Sequence, residues 1–217
     1  MNLVLLGLPG AGKGTHAKNL SEKYDMVHLS SGNIFKNAVR ENTPLGREVR
    51  DYINQGDLVP DDITIEMMEK RIREHRDENL VFDGFPRTIN QARALDDILA
   101  DMDQKLIICI YIEVDEDNLL ERLSGRRICP RDGSIYHVKF DPPKEEGKCD
   151  HCGLSLHQRQ DDREEIVKKR IRDNREKTEK LVEYYENAGI LQKIPGTKRK
   201  PEAVQVDIDD KIEKIIQ

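Results

Sequence analysis

The sequence predicts an α/β protein: a parallel sheet covered by helices on both faces, with one small module inserted into it. Three observations predict this. Strand-sized apolar runs alternate with helical patterns along the chain, an order that builds parallel sheets because each crossover helix must pack on a sheet face. A glycine-rich turn joins the first strand to the first helix. Residues 125–160 break the alternation, with few apolar residues, three cysteines and the turn signals Pro130, Gly133, Pro142, Pro143 and Gly147.

The elements follow in order. Asn2–Gly7 reads as a buried strand and Lys13–Tyr24 as the helix after the glycine turn. Ser31–Arg40 places Ile34, Phe35, Ala38 and Val39 on one helical face. Ile63, Met67, Met68 and Ile72 repeat that spacing, as do Ile89, Ala92, Leu95 and Leu99. Asn79–Asp83 and Leu106–Val114 are strand signals. A long helix is expected from Asp162 to about Asn187, its charged face solvated through Lys180 except at Arg170. Ile190–Ile194 reads as the last strand. The final helix begins near Pro201 with Val204, Ile208 and Ile212 inward.

With 217 residues, the chain can bury a substantial core. Its 36 Lys and Arg against 42 Asp and Glu leave a formal charge of -6, which argues against a nucleic-acid coat protein or a polybasic membrane binder. The longest apolar run, Leu106 to Ile112, is strand-sized and too short to span a bilayer. The apolar start lacks a basic flank and runs into glycines, so no signal peptide is expected. A cytoplasmic protein is the expectation.

Gly7-Leu8-Pro9-Gly10-Ala11-Gly12-Lys13-Gly14-Thr15 reads as the phosphate-binding pattern G-x-x-x-x-G-K-[ST]. Glycines let backbone N–H groups curl round phosphate oxygens without side chains intervening. Lys13 would reach the β- and γ-phosphates, Thr15 would offer its hydroxyl to Mg²⁺, and the helix would point its positive end at the anion. Leu80-Val81-Phe82-Asp83 is the companion, an apolar strand ending in a carboxylate. An Asp there is ordinarily a turn or cap residue; beside a phosphate loop, Asp83 becomes the candidate partner of Mg²⁺ through its water shell.

No N-K-x-D signature of a guanine-nucleotide switch is present. Arginines are instead spread along the chain at Arg87, Arg122, Arg126, Arg159 and Arg170. Arg87 leaves the Asp83 strand directly, while Arg126 and Arg159 bracket the cysteine module, where guanidinium forks could clamp phosphates.

Cys129-x-x-Asp132 and Cys149-x-x-Cys152 are spaced as the two knuckles of a zinc ribbon. Thiolates and a carboxylate suit a tetrahedral structural Zn²⁺, and four protein ligands leave no open position. His137 and His151 are rival fourth ligands off the x-x spacing. Cys109, inside an apolar strand, reads as packing. No partner is evident for His28, His75 or His157.

The chain resembles the adenylate kinases, in the long-lid form of bacterial and archaeal type whose lid carries zinc. The residues that carry the resemblance are Gly7–Thr15, Asp83-Gly84-Phe85-Pro86-Arg87 with Gln91, Gly125-Arg126-Arg127, Tyr136-His137, Pro142-Pro143, Gln158-Arg159, Asp161-Asp162 and Gly196-Thr197-Lys198. They span nearly the whole length. The resemblance implies a P-loop nucleoside monophosphate kinase core (1–29, 59–124 and 163–217), a helical AMP-binding flap (30–58) and a zinc-binding lid (125–162). It implies reversible transfer of a phosphoryl group from Mg-ATP to AMP, giving two ADP and keeping the adenine nucleotides in balance. Gly10, Ala11, Gly12, Lys13, Gly14, Thr15, Arg122, Arg126, Ile135, Tyr136 and Lys198 would contact ATP. Ser31, Lys36, Asp57, Leu58, Val59, Gly84, Phe85, Pro86, Arg87, Gln91, Arg159 and Arg170 would line the AMP side. Lys13, Asp83, Arg87, Arg122, Arg126, Arg159 and Arg170 would serve the chemistry, and Asp161 and Asp162 would help to close the lid. A monomer acting on ATP, AMP and ADP is implied, with no nucleic-acid or membrane partner.

The chain departs from that pattern at Lys36, where the family usually has Arg, and at Ser31, Asn33 and His16 in place of Thr, Asp and Gln. The family has Cys at the position of Asp132 and Cys or Asp at that of Cys152. Lys36 keeps the charge and loses the bidentate fork.

Overall fold

The computed structural model describes residues 1–216. Its order is β1 (Asn2–Leu6), α1 (Lys13–Tyr24), β2 (Met26–Ser30), α2 (Ser31–Arg40), α3 (Pro44–Gln55), α4 (Asp61–Glu74), β3 (Asn79–Asp83), α5 (Ile89–Ala100), β4 (Leu106–Glu113) and α6 (Glu116–Ser124). There follow β5 (Arg126–Ile128), β6 (Ile135–His137), a 3-10 turn (Gln160–Asp162), α7 (Glu164–Asn187), β7 (Leu191–Pro195) and α8 (Pro201–Ile216).

Five strands form one parallel sheet in the order β2-β3-β1-β4-β7. All five residues of β1 are buried, as a central strand covered on both faces requires. Alternate side chains enter different cores. Leu3 and Leu5 join Ala17 and Leu20 of α1 and Val204, Ile208 and Ile212 of α8. Val4 and Leu6 join Phe82, Met68 and Ile72 of α4, and Leu95 and Leu99 of α5. The long α7 serves both layers, with Val167 and Ile171 in the first and Leu181 and Tyr185 in the second. After β1 the chain crosses to β2 on one side, and after β3 it crosses over β1 to β4 on the other. Such a switch opens a crevice at the carboxyl ends of the strands.

The flap region has a small core of its own. Phe35, Val49 and Val59 pack with Val39, Leu45 and Ile53 and with Ile63 and Met67 of α4. Thus Ile63, grouped with Met67, Met68 and Ile72 by spacing, faces the flap core, while Met67 packs against both cores. The helix α3 begins with Pro44 after Thr43, whose Oγ1 accepts from the Gly46 N–H at 3.1 Å. A Cβ at Gly46 would lie 2.0 Å from the Ala38 carbonyl oxygen, so the close crossing of α2 and α3 admits only glycine there.

The inserted segment carries a two-stranded antiparallel ribbon of β5 and β6. It has its own buried cluster of Cys129, Tyr136 and Cys149, with Cys152 and Leu156 against it. Asp162 corrects the expectation of a solvated charged face: it lies in the 3-10 turn before α7 and is 0% exposed. Among the described residues, no helix is long and apolar enough to cross a membrane.

Candidate active site

The loop after β1 turns on glycine. Gly10 and Gly12 adopt φ of 89° and 98°, which L side chains rarely reach. Gly12 caps α1, and the first N–H groups of a helix have no intrahelical partner. The Lys13 ammonium donates to the carbonyl oxygens of Gly7 at 2.7 Å and Leu8 at 3.2 Å, arching over the loop. Burial pulls its pKa down to about 8 against the opposing pull of Asp83. The match to the phosphate-loop pattern is inexact at its last position. Gly14 directly follows Lys13 and Thr15 comes one residue later. A Cβ at position 14 would make only ordinary contact with Asp83 Oδ2, at 3.4 Å.

Asp83 ends β3 in register with Leu5 of β1 and Ser30 of β2. His28 of β2 donates from Nε2 to Asp83 Oδ2 at 3.3 Å, because a carboxylate can only accept. Burial pushes the Asp83 carboxyl up, but the His28 hydrogen bond and the Lys13 charge outweigh it and hold it below the ordinary range. Sequence reading left His28 without a partner. The parallel register of β2 and β3 brings it to Asp83, a relation that no local spacing displays.

The turn after Asp83 is organised by the Gly84 carbonyl, which accepts from Ser31 Oγ at 2.6 Å and from Arg87 Nε at 2.9 Å. The Phe85–Pro86 peptide is cis and Gly84 has φ of 73°. Burial lowers the pKa of Arg87, with the Arg170 charge adding to the effect. The Arg87 N–H donates to Gln91 Oε1 at 2.8 Å, and Gln91 Nε2 donates to Asp61 Oδ1 at 2.7 Å. Asp61 was not singled out in the sequence; an acidic residue at a helix start ordinarily reads as a partner of the helix dipole.

Arg126, at the start of the lid, makes a two-pronged pair with Asp162 at 2.8 and 2.6 Å. Arg170 donates to the Asp161 carbonyl at 2.7 Å and lies 3.2 Å from its carboxylate. Arg159 feels Arg126, Asp161, Asp162 and Arg170 together, and burial lowers its pKa. Lys36 of the flap approaches Asp161 Oδ2 at 3.5 Å; burial pulls its pKa down to about 8. The structure therefore brings Lys13, Lys36, Arg87, Arg126, Arg159 and Arg170 into one electrostatic neighbourhood. Arg122 is held separately, donating to the Gly196 carbonyl at 2.8 Å.

Other residues from the sequence stand further out. Asp57 pairs with Lys169 of α7 at 2.5 Å, Leu58 is half-buried, and Val59 belongs to the flap core. Ile135 and Lys198 are exposed. Tyr136 points its side chain into the lid, with Oη 3.6 Å from Cys149 Sγ, so its side chain does not meet the phosphate loop. His16 is buried and donates from Nδ1 to Gln205 Oε1 at 2.8 Å, tying α1 to α8. A cleft of about 520 Å³ lined by Glu113, Asp115, Glu116, Asp117 and Glu179 lies beside β4; its charge has the wrong sign for phosphates.

In the lid, donor atoms of Cys129, Asp132, Cys149 and Cys152 lie within 4.8 Å of one another. The Cys129–Cys152 sulfur separation is 3.4 Å and Asp132 Oδ2 lies 3.6 Å from Cys149 Sγ. Those edges suit a tetrahedron around Zn²⁺, whose Zn–S bonds of about 2.3 Å set sulfur atoms roughly 3.8 Å apart. Both knuckles have the same backbone turn: Gly133 N donates to Cys129 O, and Gly153 N to Cys149 O. The rival histidines fall away. His137 donates from Nε2 to the Glu121 carbonyl, while its Nδ1 accepts from the Lys139 and Phe140 N–H groups. His151 lies outside the cluster.

A glycine loop before a helix, a strand-end carboxylate and converging cations under an inserted lid define a P-loop phosphotransferase that handles two nucleotides. Residues 5–190 match the sequence model of the family described as Adenylate kinase. The adenylate kinase of Geobacillus sp. (strain WCH70) is 48% identical over 197 residues, 90% of this chain and 91% of its own. That of Clostridium beijerinckii is 48% identical over 199 residues, covering 91% and 92%. That of Oceanobacillus iheyensis is 45% identical over 215 residues, covering 99% and 100%. The chain belongs to the adenylate kinase family, the nucleoside monophosphate kinases that transfer a phosphoryl group between ATP and AMP with ADP as product.

Proposed function

We propose that this chain performs that transfer with Lys13, Asp83, Arg87, Arg126, Arg159 and Arg170 as its working charges. The observation that carries the reading is their gathering at the carboxyl ends of β1 and β3, between flap and lid. The phosphate loop and α1 would hold the donor phosphates, with Asp83 holding the water shell of the Mg²⁺ that accompanies ATP. Ser31, Lys36, Gly84–Arg87 and Gln91 would line the acceptor.

The acceptor phosphate has a second pKa near 6 and is largely ionised at neutral pH. No side chain need remove a proton, and catalysis rests on alignment and charge neutralisation. Water would compete as acceptor, so closure of flap (30–58) and lid (125–162) must precede transfer. The Lys36–Asp161 contact, joining flap to lid, supports such a closed arrangement. Cys129, Asp132, Cys149 and Cys152 would hold a structural Zn²⁺, which supplies no chemistry to the transfer. We further propose a cytoplasmic monomer.

A coupled assay offering AMP, UMP, CMP and GMP tests the reading. Turnover with AMP is expected to lead, and Lys13→Ala and Arg87→Ala are each expected to lower kcat by about 10²-fold or more. Negligible turnover with AMP, or unaltered rates in both variants, would overturn it.

A further inference from the structure

We propose that Asp61 sets the acceptor base, holding the Gln91 carboxamide in the one orientation that reads a 6-aminopurine and rejects a 6-oxopurine. The proposal rests on the reading that Gln91 lines the acceptor site.

Gln91 is 2% exposed. Two hydrogen bonds decide which end of its amide is which. Oε1 accepts from the Arg87 N–H at 2.8 Å, and Nε2 donates to Asp61 Oδ1 at 2.7 Å. A backbone N–H can only donate and a carboxylate can only accept, so a flipped amide would set N–H against N–H and oxygen against oxygen. Asp61 is itself fixed, because its other oxygen accepts from Thr88 Oγ1 at 2.7 Å. Thr88 in turn caps α5 by accepting from the Gln91 N–H at 3.2 Å. Flap-side helix α4 and the start of α5 are thereby joined through one carboxylate.

Among the described residues, these bonds use one of the two Nε2 protons and one of the two Oε1 lone pairs. A buried amide with one donor and one acceptor left over is a reader of a base edge. Adenine presents an acceptor at N1 beside a donor at the 6-amino group, which match that donor and acceptor in one order. Hypoxanthine and guanine present N1–H beside O6, the reverse order, and would need the flipped amide. Asp61 therefore acts as a positioning residue: it touches no substrate and acts through Gln91.

Asparagine at this position would set the two ends of the lock against each other. Its Oδ1 would stay with the Thr88 hydroxyl, turning its NH₂ toward Gln91 Nε2, while the Arg87 N–H still requires Oε1, so neither orientation of the amide satisfies both neighbours. The test compares AMP with inosine 5′-monophosphate, which differ in the 6-substituent and N1 proton alone. In Asp61→Asn the AMP/IMP ratio of kcat/KM is expected to fall at least about tenfold, as the loss of a charged hydrogen bond implies. The change should lie in KM for both acceptors, with kcat at saturating AMP nearly unaltered. Asp61→Ala, which leaves neither donor nor acceptor, should fall between wild type and Asp61→Asn. Gln91→Leu should abolish the discrimination. An unchanged ratio in Asp61→Asn and Asp61→Ala, with discrimination lost in Gln91→Leu, would overturn the lock and leave Gln91 as the reader. A ratio unchanged in all three variants would overturn the reading of Gln91 as well.

Discussion

Arg126 and Asp162, 36 residues apart, meet as a two-pronged ion pair at 2.8 and 2.6 Å with the carboxylate fully buried. One stands where the chain enters the lid and the other where it leaves, so the pair closes the base of the module. Arg170 lies 3.7 Å from the same carboxylate and 3.2 Å from that of Asp161, and with Arg159 and Lys36 beside them four cations share two carboxylates. Phosphate oxygens supply the balance in the proposed reaction.

Removing Asp162 leaves two guanidinium groups facing each other with less compensation. Breaking a buried pair from one side costs about 3–5 kcal/mol. Asp162→Ala is expected to lower the denaturant midpoint and to increase amide hydrogen exchange in 125–162 more than in the parallel sheet. Uniform exchange across both regions would refute the hinge role.

Lys36 gives acceptor binding a pH dependence that an arginine would not. Asp161 opposes the burial that draws its pKa down to about 8, and Arg159, Arg170 and Arg126 reinforce that burial. Below about pH 8 the amine is charged and attracts the acceptor phosphate; above it the charge is lost. AMP is already dianionic there, so its own titration does not interfere. At saturating ATP, kcat/KM for AMP reports the enzyme–ATP complex with its acceptor side empty, and it is expected to decline above about pH 8. Lys36→Arg should flatten that limb. A decline that persists unchanged in Lys36→Arg would assign it to another group, Lys13 first.

Stripping zinc should loosen the lid before it stops the chemistry. The knuckles have almost no apolar core beyond Tyr136, Ile128 and Leu156, and the ligand bonds of the proposed zinc would stand in for one. Metal analysis should find one zinc per chain, lost in Cys149→Ser. The chelated protein should melt at lower temperature while keeping measurable turnover at low temperature. An equal melting temperature with and without chelator would refute the structural role.

Tyr185 is 0% exposed, and its hydroxyl has no hydrogen-bond partner among the described residues. Burial pushes its pKa far up. Deleting the hydroxyl removes an unpaid desolvation cost. Tyr185→Phe is expected to raise stability by about 1 kcal/mol, seen as a higher urea midpoint with unchanged slope. A loss of stability would mean that the hydroxyl has a partner.

Much of the fold was legible in the chain. Lys13–Tyr24, Ser31–Arg40 and Asn79–Asp83 have the boundaries that periodicity suggests, and α8 turns Val204, Ile208 and Ile212 inward as expected. The flap's second helix, α3, was not resolved as an element, because Pro44, Gly46 and a polar face dilute its pattern and its apolar residues serve a small separate core. The four lid donors were legible because metal knuckles are local in sequence, and so was the glycine loop.

What the sequence by itself determined is therefore the alternation of elements, the phosphate loop, the metal knuckles and the pool of arginines. Tertiary structure alone decided which charges meet: His28 with Asp83 across 55 residues, Asp61 with Gln91 across 30, Lys36 with Asp161 across 125. The physical reason is that a period of 2 or 3.6 reports which face of an element is buried. It does not report which element comes to lie against that face, and these contacts depend on sheet register and on the crossing of helices.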